Sequence, residues 1–324
     1  MCRGFRAIGG RDGKAKKNVM NRSSFFHNAC AILTAMIWGF AFVTQSMGAM
    51  YVGPFTVNAV RSMIAVIFLA FLSLFLRKRR GETWAKSLEK NPHYLRDLLL
   101  GGVCCGTALT IATNLQQKGI ETTTSGKAGF LTAMYIVIVP IFGLAMKKRV
   151  GRSVWLGVAA AVAGLYFLCI QQDFTIATGD FYIILCAVFF AVQILLVDHF
   201  VVNVDSVELS LIQFLTVAAV STVFMLTMER PDIAAIRAAM WPLLYLGVFS
   251  SGIAYTLQIV AQKGSNPTVI SILMSLESVF AVIGGALFLK DQLSGREYFG
   301  CLLMMAAVVL AQLPEKKASE KTAD

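Results

Sequence analysis

Ten apolar segments of similar length dominate this sequence. Each is about 20 residues long, which is the length an α-helix needs to cross the hydrocarbon core of a bilayer. Hydrophobic residues make up 57% of the 324 residues and charged residues 15%, against roughly 45–50% and 25% in soluble domains. The composition therefore predicts an all-α membrane protein with no separate soluble domain. The segments are 28–48, 55–76, 98–117, 125–146, 153–170, 180–198, 208–228, 241–261, 267–289 and 297–313.

The positions of the basic residues predict the orientation of the chain. If the N-terminus is cytoplasmic, 22 Lys and Arg residues fall in cytoplasmic segments and six in outside loops. Basic residues concentrate on the cytoplasmic side of membrane proteins, so both termini are predicted to be inside. Residues 1–27 then form a basic cytoplasmic tail, expected to be disordered, and residues 314–324 a second cytoplasmic tail. A signal peptide over residues 1–48 is the alternative, but the first segment is long enough to span uncleaved.

The charge and the cysteines exclude several classes of protein. The net charge of +11 does not indicate nucleic acid, because the basic residues lie in short loops without an RNA-binding signature. The seven cysteines form no C-x-x-C pair and no His lies at ligand spacing, so neither a metal site nor a disulfide framework is predicted. No phosphate-binding G-x-x-x-x-G-K-[ST] motif occurs. We therefore expect no cofactor and no metal, and the lipid bilayer as the main partner.

The two halves of the chain carry related residues in the same order. At an offset of 152 residues, Asn58 and Arg61 correspond to Ser210 and Gln213. Offsets of 145 and 143 residues relate later positions, because the loop after the second segment is longer than the loop after the seventh. Each correspondence is weak alone, but their common order indicates an internal duplication.

A duplication of five segments has a consequence for topology. Because five is odd, the second copy must enter the membrane upside down. Inverted repeats of this kind are the architecture of alternating-access carriers, whose site lies near the membrane midplane. We predict ten transmembrane helices in two inverted five-helix repeats, residues 28–170 and 171–313. A channel or a passive scaffold can also be built from duplicated inverted helices.

Glu277 is the costliest residue in the predicted spans, because it lies near the middle of the ninth. A charge at that depth costs roughly 2.5–3.5 kcal/mol. Arg61, about 9 Å below the outer edge of the second span at 1.5 Å per residue, is the candidate partner, unless its side chain extends to the outer surface. Glu277 is then either a transport-pathway residue that pairs with Arg61 or binds a proton, or part of a structural ion pair.

Other polar and aromatic side chains recur at helical spacing inside the spans. They either line a path or hydrogen-bond one helix to another, which contributes on the order of 0.6 kcal/mol each. With Glu277 and Arg61, the substrate-pathway candidates are Trp38, Gln45, Asn58, Asn114, Tyr135, Gln193, Gln213, Tyr255 and Gln258. No catalytic residue is predicted. Pro140 lies well inside the fourth segment and is expected to kink it.

Several motifs carry a resemblance to a known family. They are Trp38-Gly39-Phe40, Gly53-Pro54-Phe55 followed by Asn58 and Arg61, Gly126-Lys127-Ala128-Gly129, and Ser275-Leu276-Glu277-Ser278. With these motifs the chain resembles EamA-type transporters of the drug/metabolite transporter superfamily over residues 28–313. The resemblance implies ten helices, two EamA repeats and a multipass carrier in the cell membrane, and it implies no particular substrate.

Two departures from the family pattern affect local geometry. The family often has Glu-Pro where this chain has Glu277-Ser278, so we expect a straighter ninth helix. It often has Gly-Glu where this chain has Lys290-Asp291, so Asp291 is expected to replace the outer Glu.

The expected function is secondary transport of a small metabolite or drug by alternating access. We expect export, protons as the coupling ion, the plasma membrane of a prokaryotic cell, and a homodimer contact through the fifth and tenth segments. A non-transporting scaffold or sensor is the alternative. A membrane-embedded enzyme is disfavoured, because the three histidines lie in different loops and no paired-carboxylate motif occurs; they are His27, His93 and His199.

Overall fold

The fold is known from a computed structural model that describes residues 9–123, 125–147, 150–169, 178–284 and 294–313. Over these ranges the chain is helical and contains no strand. Each of the ten apolar segments coincides with one helix or with consecutive helices. These are α1 Gly9–Ala49, α2 Pro54–Arg80, α3 Trp84–Lys90, α4 Tyr94–Ile120, α5 Ser125–Ala133, α6 Tyr135–Ala145, α7 Arg152–Cys169, α8 Thr178–Phe200, α9 Ser206–Met228, α10 Ile233–Ala238, α11 Met240–Leu244, a π-helical segment Tyr245–Ala254, α12 Tyr255–Gln262, α13 Pro267–Met274, α14 Glu277–Gly284 and α15 Gly295–Gln312.

Seven helical stretches in the described ranges are long and apolar enough to cross a membrane. They are Ser24–Ala49, Pro54–Arg80, Tyr94–Ile120, Ala128–Ala145, Thr178–Phe200, Ser206–Met228 and Met240–Gln262. Two shorter apolar helices, Arg152–Leu168 and Pro267–Ile283, cover the fifth and most of the ninth predicted segments. The chain is therefore a multispan membrane protein.

Helix α1 begins inside the segment that we expected to be a disordered tail. The helix starts at Gly9 and runs without interruption to Ala49, so the expectation of disorder is wrong from Gly9 onward. The Lys, Ala and Met residues that follow Gly13 are good helix formers, and they extend the helix of the first span. Asp291 and residues 314–324 lie outside the described residues, as does the side chain of Lys127.

Helices of the first half pack against helices of the second half. The most extensive contacts join α7 with α15, α4 with α8, α2 with α9, and α1 with the stretch Met240–Gln262. The fifth segment thus pairs with the tenth and the second with the seventh. The third pairs with the sixth, and the first pairs with the eighth. If each segment is replaced by the segment five places away in the chain, the same four pairs result.

Small residues bring α7 and α15 close together. A Cβ added to Gly164 would lie 2.9 Å from the backbone nitrogen of Met304, and one added to Gly157 would lie 3.0 Å from the carbonyl oxygen of Ala307. Such close approach is the usual role of small residues between membrane helices. The small-residue face of the fifth segment therefore packs against the tenth segment of the same chain.

The fourth and ninth segments are each broken near their middle. Helix α5 ends at Ala133 and α6 begins at Tyr135, so the break precedes the kink expected at Pro140, which lies inside α6. In the ninth segment, α13 ends at Met274 and α14 begins at Glu277. The expectation of a straighter ninth helix is therefore wrong.

Serine side chains explain the second break. The Oγ atoms of Ser271 and Ser275 donate hydrogen bonds of 2.8 Å to the carbonyl oxygens of Thr268 and Ile272. Hydroxyl groups that bond back to carbonyls in the preceding turn bend helices. The break thus lies next to two serines, just before the position of Ser278, where the family pattern often has a proline.

Candidate functional site

A buried cavity lies between the two halves of the bundle, where the fourth and ninth segments are broken. Its lining comes from Trp38, Ala41, Phe42, Gln45, Arg61, Gln116, Thr132, Tyr135, Phe190, Gln193, Ile194, Ser250, Tyr255, Gln258, Met274 and Glu277. The space open to a water-sized sphere measures about 30 Å³, which is room for about two water molecules. In this conformation the free space is too small for a larger molecule.

Glu277 and Tyr135 meet at the two helix breaks. The Tyr135 hydroxyl donates a hydrogen bond of 3.3 Å to Glu277 Oε1, across 142 residues of sequence. Each is the first residue of the helix that follows its break. Both are buried, at 3% exposure. Glu277 therefore lies in the first turn of α14, where the helix dipole favours a negative charge.

Arg61 lines the same cavity without a partner. Its side chain is 3% exposed, so it does not extend to the outer surface. Among the residues that the structure describes, no hydrogen-bond partner of Arg61 is found, and its Nε is buried without an acceptor. Arg61 and Glu277 are both described, and no N–O distance between them is within 4.0 Å. The two charges share the cavity but do not form an ion pair in this conformation.

Aromatic rings form one wall of the cavity. The rings of Trp38 and Tyr255 lie 4.7 Å apart at an angle of 58°. Phe214 packs edge-on against Tyr255 at 5.3 Å from outside the cavity. The Trp38 indole Nε1 donates a hydrogen bond of 3.3 Å to the Ser250 carbonyl oxygen, which fixes the orientation of the ring.

The Ser250 carbonyl belongs to the π-helical segment Tyr245–Ala254. In a π-helix the backbone bonds connect residues five apart, and such segments occur frequently at functional sites. A second carbonyl of the segment, that of Ala254, accepts a hydrogen bond of 3.1 Å from Thr34 Oγ1. Side chains of α1 thus bind the irregular backbone beside the cavity.

Three glutamines form a hydrogen-bonded chain at another wall. Gln258 Nε2 donates to Gln193 Oε1 at 3.0 Å, and Gln193 Nε2 donates to Gln213 Oε1 at 3.0 Å. Gln193 and Gln258 line the cavity, and Gln213 lies behind them. Two other lining residues, Gln116 and Thr132, are joined by a hydrogen bond of 3.2 Å.

The structure brings most of the predicted pathway residues together. Eight of the eleven candidates line the cavity; they are Trp38, Gln45, Arg61, Tyr135, Gln193, Tyr255, Gln258 and Glu277. The other three do not line it. Gln213 stands behind Gln193, while Asn58 donates a hydrogen bond of 2.9 Å to Asn114, whose amide donates in turn to Ser221 at 3.1 Å.

The prediction missed three polar residues of the lining, Gln116, Thr132 and Ser250. Gln116 lies beside Gln117 in sequence, but polarity alone does not indicate which of two adjacent glutamines faces inward. Thr132 lies one helical turn before Tyr135, and this spacing was the available signal. Ser250 lies on the π-helical segment, whose register no helical periodicity predicts.

A polar cluster joins one end of α2 to α9. Arg77 Nε donates to Glu208 Oε1 in a partly buried ion pair, and the Tyr94 hydroxyl donates to Glu208 Oε2 at 2.7 Å. We call the group of Arg77, Glu208 and Tyr94 the Arg77 clasp. This cluster was not predicted from the sequence, in which Arg77 is recognisable only as a basic residue at the end of a span.

A second polar cluster joins the opposite end of the same two helices. The carboxylate of Glu229 accepts hydrogen bonds from Phe55 N at 2.9 Å, Thr56 N at 2.8 Å and Thr56 Oγ1 at 2.6 Å. These N–H groups belong to the first turn of α2, which a carboxylate caps favourably. We call the group of Glu229, Phe55 and Thr56 the Glu229 clasp.

A multispan helical bundle with a buried, charged cavity between its halves is typical of membrane transport proteins. The model of the EamA-like transporter family matches residues 26–170 and again residues 177–313. The chain therefore belongs to the EamA-like transporter family, within the drug/metabolite transporter superfamily.

Curated relatives extend over most of the chain. An uncharacterized transporter from Archaeoglobus fulgidus is 29% identical over 87% of this chain and 84% of its own length. The uncharacterized transporter YoaV from Bacillus subtilis is 20% identical over 86% and 94%. A solved crystal structure with 16% sequence identity superposes with a TM-score of 0.70 over 90% of this chain and 96% of its own, which shows a shared fold.

Proposed function

We propose that this protein is a secondary transporter of the prokaryotic plasma membrane that exports a small metabolite or drug by alternating access, with protons as the coupling ion. The observation that carries the proposal is the small, charged cavity lined by both halves of the bundle. Its aromatic and amide walls suit a small molecule with apolar and polar parts.

Several observations support ten spans in two inverted repeats. The family model matches the chain twice, the helix contacts keep their pattern when segments five apart are exchanged, and the fourth and ninth segments break at Tyr135 and Glu277. Five spans per copy require inversion. The distribution of Lys and Arg then favours cytoplasmic termini.

The two clasps supply the gates that alternating access needs. At the repeat offset of 152 residues, Thr56 corresponds to Glu208 and Arg77 corresponds to Glu229. The clasps are thus equivalent contacts of the two copies at opposite ends of α2 and α9. In the proposed topology the Arg77 clasp faces the cytoplasm and the Glu229 clasp faces outward. Opening one while the other stays closed exposes the cavity to one side at a time.

Glu277 is the proposed coupling residue. It is the carboxylate of the cavity, and the one hydrogen bond that holds it comes from Tyr135. A protonated Glu277 still accepts that bond, so proton binding changes the charge of the cavity without breaking the contact. Protonation and substrate occupancy can then be linked through the same space.

Transport in liposomes tests the proposal. The purified protein is reconstituted and screened for counterflow with metabolites and drugs of different classes, then for flux in each direction under an imposed pH gradient. We expect counterflow, export-directed flux and stimulation by the gradient. Glu277→Gln keeps counterflow but loses the stimulation, whereas the exposed control Glu89→Gln keeps both. A wild type without flux of any compound favours a scaffold or sensor, and a gradient-responsive Glu277→Gln removes Glu277 from coupling.

The outward faces of α7 and α15 remain available for a homodimer. Leu156 on α7 and Leu302 on α15 are 61% and 68% exposed. We propose this face as the contact between two copies in the membrane. Cross-linking of a Leu302→Cys variant in native membranes tests it, with the exposed Leu226→Cys as the matched control.

A further inference from the structure

An apolar groove opens on the outside of the bundle, between the broken fourth segment and α7. One side of the groove is a face of α7, on which Ala159, Val162 and Ala163 recur at helical spacing. The other side carries Phe130 of α5 and Val137 of α6. None of the described side chains that line the groove carries a charge. The open space measures about 640 Å³, against about 30 Å³ in the central cavity.

The break in the fourth segment explains why the groove exists. Helix α5 packs against α7, whereas α6 makes at most a marginal contact with it among the described residues. The chain therefore diverges from α7 after the break between Ala133 and Tyr135. The small side chains of Ala159 and Ala163 do not fill the space that this divergence leaves. Because Tyr135 also bonds to Glu277, the groove and the cavity share one helix break.

The bilayer determines what fills this groove. Along α7 the lining extends from Trp155 to Phe167, which is about 18 Å at 1.5 Å per residue. The hydrocarbon core is about 30 Å thick, so an acyl chain of one leaflet extends over about 15 Å. Water is a poor occupant, because it needs polar partners that an apolar groove does not offer. The length and composition of the groove therefore suit one acyl chain.

A cation lies at one end of the groove. The central carbon of the Arg296 guanidinium is 5.1 Å from the ring centre of Tyr166 and 5.6 Å from that of Phe167. Both rings line the groove. Aromatic faces attract a guanidinium and orient it. Its five N–H donors can bind a phosphate through two parallel bonds and still serve other partners.

The position of Arg296 in α15 also favours an anionic partner. Arg296 is the second residue of the helix, where the helix dipole disfavours a cation. The neighbouring Glu297 is engaged in the capping box, in which its carboxylate accepts bonds of 2.7 and 2.8 Å from Ser294 N and Oγ. In the proposed topology this end of α15 lies at the outer surface of the membrane. The phosphates of the outer leaflet lie at the same level.

From these observations we infer that the groove binds one phospholipid of the outer leaflet, with an acyl chain beside α7 and the phosphate on Arg296. The chain fills the space where α6 diverges from α7, so it supports the broken fourth segment from outside. The inference does not depend on transport, because the groove residues and Arg296 are not part of the cavity lining. It uses the proposed topology only for the choice of leaflet.

Lipid retention by the purified full chain tests the inference. The protein is stripped of lipid in maltoside detergent and titrated with dioleoyl phosphatidylglycerol or dioleoyl phosphatidylethanolamine. Dioleoylglycerol, which has the same chains without the phosphate, is the matched probe. Native mass spectrometry counts the bound lipids, and thermal unfolding measures stabilisation. We expect saturable binding of one phospholipid per chain with a rise in melting temperature, and roughly ten-fold weaker binding of dioleoylglycerol.

Two variants separate the head group from the chain. Arg296→Gln removes the cation and is expected to weaken phospholipid binding about ten-fold. Arg152→Gln, at the other end of α7, should bind as the wild type does. Ala163→Phe fills the groove and is expected to abolish binding of every probe, whereas Leu302→Phe on the exposed face of α15 should retain it.

Three results overturn the inference. They are wild-type phospholipid binding by Arg296→Gln, equal binding of phospholipid and dioleoylglycerol, and no saturable binding of any lipid. The comparison of Arg296→Gln with Arg152→Gln decides even where Ala163→Phe does not fold. A folded Ala163→Phe that binds lipid as the wild type does but loses a dimer assigns the groove to a second copy of this chain, which also overturns the inference.

Discussion

Two arginines on the same helix, Arg61 and Arg77, differ in whether they have a charged partner. Arg61 and Arg77 are 16 residues apart on α2, which is about 24 Å at 1.5 Å per residue. Arg77 is paired with Glu208 in a cluster that includes Tyr94. Arg61 lies on the cavity wall and forms neither a hydrogen bond nor an ion pair.

The difference separates charges that are paired within the fold from a charge that we propose is kept for function. At the ends of α2 the charged side chains have partners, as in the Arg77 and Glu229 clasps. In the middle the protein leaves a cation, a carboxylate and two amide oxygens underbonded. Real proteins break local rules of polar satisfaction mainly at functional sites.

Removing the charge of Arg77 is expected to have the largest effect. Arg77→Gln leaves Glu208 buried without its cation, and breaking a buried pair from one side costs about 3 kcal/mol. Chemical unfolding in detergent measures the loss of stability. The neighbouring exposed Arg79→Gln provides the matched control and should stay within about 0.5 kcal/mol of the wild type. An Arg77→Gln as stable as Arg79→Gln would show that the clasp contributes nothing.

Neutralising Glu229 is expected to have a smaller effect. Glu229→Gln keeps one acceptor oxygen for the first turn of α2 but loses the charge that favours it, so we expect a loss of about 1 kcal/mol. The same unfolding assay measures it. Glu121→Gln, which removes a carboxylate paired with Lys118 at 2.6 Å on a partly exposed surface, should have almost no effect. Equal losses of stability in the two variants would show that the Glu229 clasp contributes no more than a surface ion pair.

Arg61→Gln is expected to cost no stability in the absence of ligand. The substitution removes an unpaired buried charge, so the free energy of unfolding should stay the same or rise. Arg77→Gln is expected to lower the free energy of unfolding and Arg61→Gln is not. This pair of variants therefore tests the comparison most sharply. A loss as large as that of Arg77→Gln would mean that Arg61 holds the fold.

Hydropathy made the helical segments predictable, because spanning length and apolar composition follow from the bilayer itself. It also made the cavity-lining residues predictable in part, since charged residues inside apolar runs, such as Glu277 and Arg61, must face the bundle interior. Spacing placed Asn58 on a polar face, but the face alone did not show that its amide nitrogen donates to Asn114 outside the cavity.

The sequence did not predict which side chains of distant segments contact each other. Glu208 and Arg77 are separated by 131 residues, so neither indicates the other. The break at Ser275 depends on its hydroxyl group bonding to a backbone carbonyl. Not every serine in a helix forms such a bond, so the sequence does not predict it. The π-helical segment Tyr245–Ala254 leaves no periodic pattern in the sequence. The side chains of α1 that donate hydrogen bonds to its carbonyl oxygens are visible only in the structure.

The central claim is that the cavity opens to opposite sides when opposite clasps are released. Ser250→Cys, in a background with the seven native cysteines replaced by alanine, places a reporter on the cavity wall. Its labelling by a membrane-impermeant maleimide is measured from each face of oriented vesicles, with Glu208→Gln or Glu229→Gln added. The account predicts faster labelling from the cytoplasmic face with Glu208→Gln and from the outer face with Glu229→Gln. Faster labelling from the same face in both variants, or no change in either, would contradict it.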